Sequence, residues 1–133
     1  MLKREELMNE AKKARENSYS PYSHFAVGAA LECKDGTVFY GANIENPAYG
    51  LCMCAERNAI FNAYNHGYRK DDFVALALIA ESSQMVTPCG SCRQVIAELF
   101  PSEAPIYMGT MKGLRQDTTI KELLPFAFND GNL

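Results

Sequence analysis

The chain has 133 residues, 47% of them hydrophobic and 22% charged, enough for one folded unit with its own core and no disulfide staples. Its 13 basic and 16 acidic residues give a net charge of −3, and no long basic run appears, which argues against a partner held by its phosphates. No apolar stretch is long enough to span a bilayer, and the charged start Met1-Leu2-Lys3-Arg4-Glu5-Glu6 lacks the apolar segment of a signal peptide; with five cysteines, an odd number for a disulfide framework, the expected setting is the cytoplasm.

Leu2 to Asn17 reads as an amphipathic helix, with Leu7, Ala11 and Ala14 at helical spacing, broken by Ser18-Tyr19-Ser20-Pro21-Tyr22-Ser23. Phe25 to Cys33 reads as a strand, Asp35-Gly36 as a hairpin turn and Thr37 to Asn43 as the returning strand. Asn43 to Gly50 is loop, with Asn46-Pro47 as a turn signal. Cys54 to Asn65 is a helix closed by His66-Gly67. Phe73 to Ala80 is a continuous apolar run, the pattern of a strand covered on both faces. A loop from Ser82 to Pro88 leads to a helix over Ser91 to Phe100. Ile106 to Met108 and Leu114 to Asp117 are weaker strands around Lys112-Gly113, and Thr119 to Leu124 is a short helix stopped by Pro125. This order predicts an α/β fold with helices packed on a mixed central sheet, within a single domain over residues 1–133.

The densest chemistry is Cys54-Ala55-Glu56 followed by Pro88-Cys89-Gly90-Ser91-Cys92. Cys-x-Glu followed by Pro-Cys-x-x-Cys is the pattern of zinc-dependent nucleobase deaminases. Three protein ligands leave one position of a tetrahedral zinc open, which is what separates a catalytic site from a closed structural one. Cys89 and Cys92, three apart, share one face of a helix. Both Cys54 and Cys89 fall at expected helix starts, where unpaired N–H groups and the helix dipole favour the thiolate that ligates metal. Glu56 can face the same ion only if Cys54 lies at or just before the first turn. It then stands near the metal without ligating it and can move protons. Three thiolates leave Zn²⁺ with a formal charge of −1, which Arg57 is placed to offset. Read singly, these residues have plainer roles. Cys52 with Cys54, Cys89 and Cys92 imitates a closed four-thiol site, Glu56 is a charge on a helix surface, and Arg57 is a surface cation. The combination favours the catalytic reading.

The chain resembles the cytidine deaminases of the small, three-cysteine, homo-oligomeric type. The resemblance runs from about Arg4 to Phe128 and rests on five segments. These are Ser20-Pro21-Tyr22-Ser23-x-Phe25-x-Val27-Gly28-Ala29-Ala30, Gly41-x-Asn43-Ile44-Glu45-Asn46, Cys54-Ala55-Glu56-Arg57-Asn58-Ala59, Pro88-Cys89-Gly90-Ser91-Cys92-Arg93-Gln94 and Glu122-Leu123-Leu124-Pro125-x-Ala127-Phe128. The metal motif is shared by a wider superfamily; the Asn-Ile-Glu-Asn and Leu-Leu-Pro segments are more specific. The resemblance implies a three-layer α/β/α fold with a mixed five-stranded sheet, forming one catalytic domain with one Zn²⁺ per chain on Cys54, Cys89 and Cys92. It implies that zinc-bound hydroxide attacks C4 of cytidine or 2′-deoxycytidine while Glu56 shuttles protons to ring N3 and the departing amine. The products are the uridine nucleoside and ammonia, as in pyrimidine salvage.

By the same resemblance Asn43 and Glu45 bind the ribose 3′-hydroxyl, Phe25 lies against the base, the Ala55 backbone donates to the pyrimidine carbonyl and Arg57 balances charge. Tyr49 and Phe128 come from neighbouring subunits of a homotetramer. From the residues alone, Asn43 and Glu45 are turn residues, Phe25 belongs to a core strand, Tyr49 is a loop tyrosine and Phe128 an aromatic near the chain end. Phe126 stands where a small residue is common. Cys52 is read as a free thiol, His24 as a solvated loop residue and His66 as a helix end. Three rival functions are a deaminase of another aminopyrimidine, a polynucleotide editor and a structural zinc module. The Asn-Ile-Glu-Asn segment disfavours the first and the acidic balance the second. Glu56→Gln tests the third.

Overall fold

The fold is a mixed sheet of five strands between two helical layers. The computed structural model describes residues 1–133, the side chain of residue 132 excepted. The strands are β1 (Val27–Cys33), β2 (Val38–Ala42), β3 (Phe73–Ala80), β4 (Ile106–Thr110) and β5 (Arg115–Thr118); the helices are α1 (Arg4–Arg15), α2 (Ala55–Asn65), α3 (Gly90–Leu99) and α4 (Ile120–Leu123). The spatial order is β2-β1-β3-β4-β5, with β3 and β4 parallel and the other pairs antiparallel.

β3 explains the layering. Beyond Val74 it is buried throughout, and its alternate side chains go to opposite faces. Leu76 and Leu78 join Ile60 of α2 and Ile96 and Phe100 at α3 in one core. Ala75, Ala77 and Ile79 meet Leu7, Met8 and Ala11 of α1 in the other. The alanines and Gly28 let α1 lie close on the sheet, since a Cβ at Gly28 would fall 2.1 Å from the Ala11 carbonyl oxygen. The expected elements are all present, with ends shifted by one or two residues. α1 begins at Arg4 because Glu6 reaches back to accept from the Lys3 N–H at 2.8 Å. β1 begins at Val27, so Phe25 precedes the strand and stands outside the core.

Two features of this frame carry the site. β1 is antiparallel to both β2 and β3, so β2 and β3 run the same way and end on the same edge of the sheet. The chain leaving β2 leads to the start of α2, and the chain leaving β3 leads to the start of α3. Gly41 on β2 is the contact point of α2: a Cβ there would lie 2.2 Å from the Ala55 carbonyl oxygen and 2.5 Å from the Ala59 nitrogen. A side-chain-free position therefore sets the height of the first turn of α2 above the sheet. No helix among the described residues is long and apolar enough to cross a membrane.

Candidate active site

Cys54 and Cys89 are the N-cap residues of α2 and α3, both with extended backbone, and Cys92 lies in the first turn of α3. The three Sγ atoms lie within 4.8 Å of one another, and those of Cys54 and Cys89 are 3.7 Å apart. A tetrahedral zinc with bonds of about 2.3 Å requires sulfur atoms about 3.8 Å apart, so the donor set and its spacing fit the ion. The Cys-x-x-Cys brings its two thiols to one side of the start of α3, as the spacing suggests. One caps the helix and the other occupies its first turn, so the start of α3 closes around the site.

Electrostatics favour the thiolate at Cys54. The Cys54 thiol is held down to about 5 by hydrogen bonds with Cys92, Arg57 and Cys89, against burial, which raises it. Cys92 is pushed the other way because it shares its hydrogen bond with the Cys54 sulfur and is itself buried. Arg57 Nη2 donates to Cys54 Sγ at 3.3 Å, so this cation lies against the thiolates, where charge balance requires it. Its Nε is buried and has no partner among the described residues.

Glu56 is in the first turn of α2, 4% exposed. Burial pushes its carboxyl up, and the negative charge on Cys54 adds to the effect. Cys54 lies just before the first turn, the condition under which both residues can face one ion. Cys52 is separate. Its sulfur accepts from the Asn46 N–H at 3.3 Å and donates to the Asn46 carbonyl at 3.4 Å, outside the three-thiol cluster.

The loop after β2 is folded back onto this centre. Ile44 and Met53 exchange backbone hydrogen bonds of 3.0 and 2.9 Å, which brings Asn43 to Glu45 beside the start of α2. Asn43 Oδ1 accepts from the Val27 N–H at 2.9 Å and from the Ser18 hydroxyl at 2.5 Å, and its Nδ2 donates to the Phe25 carbonyl at 2.7 Å. These contacts fix the amide's orientation and leave one N–H without a partner among the described residues. Glu45 accepts from the Tyr22 and Ser23 N–H groups, both at 3.1 Å, and from the Ser23 hydroxyl. These bonds, that of the Ser23 hydroxyl first, hold its carboxyl below the usual range. Phe25 is 40% exposed in front of β1.

Tyr49 is 79% exposed and lines a cleft of about 260 Å³ with Tyr22, Ser23, Glu45, Asn46 and Cys52. Phe128 is 58% exposed, its carbonyl accepting from Gln94 Nε2 at 3.0 Å. Phe126 is fully exposed at φ 56°, in the left-handed region that favours glycine. His24 shares that conformation at φ 56°, and His66 caps α2. Neither Ser18 nor Ser23 has a role assigned to it from the sequence: Ser18 lies in the helix-breaking run, Ser23 in that run and in a segment that carries the resemblance, and their partners Asn43 and Glu45 are distant in the chain.

A mixed sheet with two helix starts converging on three thiols and a buried carboxyl group is the arrangement of a zinc-dependent deaminase class of protein. The family described as the cytidine and deoxycytidylate deaminase zinc-binding region matches residues 1–108. The chain is 54% identical over 127 residues to a cytidine deaminase of Halalkalibacterium halodurans, covering 96% of this chain and 95% of that one. It is 50% identical over 129 residues to a cytidine deaminase of Sporosarcina psychrophila, covering 97% and 93%. The crystal structure of cytidine deaminase from Burkholderia pseudomallei superposes with a TM-score of 0.93 at 46% identity, covering 96% of this chain and all of that one. That of the Mycobacterium tuberculosis enzyme gives 0.82 at 36% identity, covering 97% and 99%. The chain belongs to the cytidine and deoxycytidylate deaminase family.

Proposed function

We propose that residues 1–133 form a single catalytic domain that hydrolyses the exocyclic amine of cytidine and 2′-deoxycytidine, consuming water and yielding uridine or 2′-deoxyuridine and ammonia, in pyrimidine salvage in the cytoplasm. The observation that carries this reading is the cluster of Cys54, Cys89 and Cys92 with the Glu56 carboxyl buried two residues from the first ligand.

Zinc, when bound by these thiolates, supplies a Lewis acid that polarises the attacking water. The chain's own residues do the rest. Glu56 takes one proton from that water and passes it to ring N3 as the oxygen bonds to C4; it then carries the remaining proton of that oxygen to the amine, which leaves as ammonia when its bond to C4 breaks and the C4 carbonyl forms. The raised affinity of its carboxyl for protons suits a group that must accept one and release it within each turnover. Arg57, against Cys54, balances the thiolate charge. The Ala55 backbone donates to the pyrimidine carbonyl, and the ring of Phe25 lies against the base. Asn43 offers its unpaired N–H, and Glu45 its carboxylate, to the ribose 3′-hydroxyl.

The exposed aromatics support a homotetramer in which Tyr49 and Phe128 complete a neighbouring subunit's site. Phe126 and Phe128 line an open cleft of about 610 Å³ beside α4, an exposed aromatic surface consistent with such an assembly.

The test is Glu56→Gln assayed on cytidine by ultraviolet absorbance, beside zinc analysis. Turnover is expected to fall by about 10²–10⁴-fold with one zinc per chain retained. Unchanged turnover would refute the role of Glu56. Zinc retention with no activity on either nucleoside in the unmodified protein would refute the substrate.

A further inference from the structure

Resting on the reading in which Glu45 binds the ribose and Phe25 the base, we infer that Ser23 is a positioning residue: one hydroxyl fixes the sugar-binding carboxylate and ties it to the backbone that carries the base-facing ring.

The direction of each hydrogen bond at this hydroxyl is set by chemistry. An ionised carboxylate only accepts, so Ser23 Oγ–H donates to Glu45 Oε2. A backbone N–H only donates, so Ser23 Oγ accepts from the Phe25 N–H at 3.0 Å. One hydroxyl thus bridges two proposed ligand residues that come from different segments of the chain. A serine needed only for its turn would be satisfied by the bond from the residue two positions on. The donation to Glu45, 22 residues away, has no such local purpose.

The turn is shaped to make the bridge. His24, between Ser23 and Phe25, has φ 56°, and its N–H is held by the Ser20 carbonyl at 3.0 Å. The turn at residues 21–23, just before His24, presents the N–H groups of Tyr22 and Ser23 to Glu45 Oε1, both at 3.1 Å. The carboxylate therefore meets the turn along one edge. Phe25 is in turn tied by its carbonyl to Asn43. Asn43, Glu45 and Phe25 form one connected unit, and Ser23 is the side chain that links the last two.

A 3′-hydroxyl that donates to Glu45 gains from a carboxylate held in place before the substrate arrives. With Ser23→Ala the carboxylate keeps two backbone donors but loses the side-chain bond that fixes Oε2. The cost falls on binding of the sugar. The decisive quantity is the ratio of kcat/KM for cytidine to that for 3′-deoxycytidine, in which losses on the base side cancel.

The experiment measures this ratio for the zinc-loaded unmodified protein, Ser23→Ala, Ser23→Thr and Glu45→Gln, with thermal unfolding of each. For Ser23→Ala the ratio is expected to fall about tenfold, through KM for cytidine, with kcat on cytidine changed by less than about twofold. Ser23→Thr, which keeps the hydroxyl, is expected to retain the ratio even where Ser23→Ala is less stable. A ratio lowered by Glu45→Gln but unmoved by Ser23→Ala overturns the positioning role and leaves the sugar reading intact. A ratio that Glu45→Gln does not move overturns the sugar reading, and the inference with it.

Discussion

At the scale of single residues, the five thiols divide by environment. Cys54, Cys89 and Cys92 stand at helix starts among hydrogen-bond donors. Cys52 is engaged with the Asn46 backbone. Cys33, at the end of β1, is buried among apolar neighbours, and burial together with the nearby Asp35 pushes its thiol up to about 11. At pH 8 such a thiol is ionised in only about one molecule in a thousand, and the thiolate is the reactive form. Iodoacetamide at pH 8 is therefore expected to leave Cys33 unmodified in the folded, zinc-loaded protein and to label it after denaturation, as read by peptide mass spectrometry. Labelling of Cys33 in the folded state would contradict the environment described. The three cysteines able to hold a metal ion and the glutamate beside the first of them are legible in the chain itself, because zinc-dependent deamination pairs such a ligand set with a carboxylate that does not ligate the ion. The roles of Ser18 and Ser23 are not, because a short hydroxyl acquires a role only from its partner, and both partners lie beyond the two strands β1 and β2.

At the scale of elements, helix starts carry the chemistry. α2 and α3 each present a cysteine as N-cap, a position usually held by Ser, Thr, Asp or Asn, whose oxygen satisfies the first N–H groups. Neither cysteine makes that capping bond, which leaves both sulfur atoms directed to one another. The placement of α2 depends on Gly41. A methyl group there would press on the backbone at Ala55 and Ala59, which cannot move as a flexible side chain can. Gly41→Ala is expected to destabilise the fold by about 1–3 kcal/mol in urea unfolding. Its kcat is expected to fall further than the lost stability explains, because the displaced turn carries Cys54 and Glu56. Normal kcat at a temperature where the variant is fully folded would show that the height of α2 is not critical. Element type is readable along the chain from period and punctuation: the small and apolar run of β1, the unbroken apolar run of β3, and Pro125 after α4. Exact ends are not. The cap at Lys3 and Glu6 and the late start of β1 are set by individual hydrogen bonds rather than by pattern.

At the scale of the whole molecule, zinc would join the starts of two helices that follow different strands, so it would act on stability as well as chemistry. Stripping with a chelator is expected to lower the unfolding temperature and abolish turnover together, and restoring one equivalent of zinc is expected to recover both, because an ion that binds the folded state stabilises it by mass action. Unfolding that ignores the metal would mean the cluster is held without it. Stripping should also proceed faster as the pH falls, since each departing thiolate must regain its proton. Much about this protein was determined by sequence alone: the element types, the mixed α/β class and the three cysteines able to hold a metal ion. Each follows from short-range periodicity or from the fixed demands of a metal ion. Tertiary structure decided the convergence. β1 lies antiparallel between β2 and β3, so Cys54 and Cys89, from distant parts of the chain, arrive on one edge of the sheet. It also decided that Phe25 leaves the core and that Ser23 meets Glu45. Such contacts depend on strand order and packing depth, quantities that no local pattern of residues encodes.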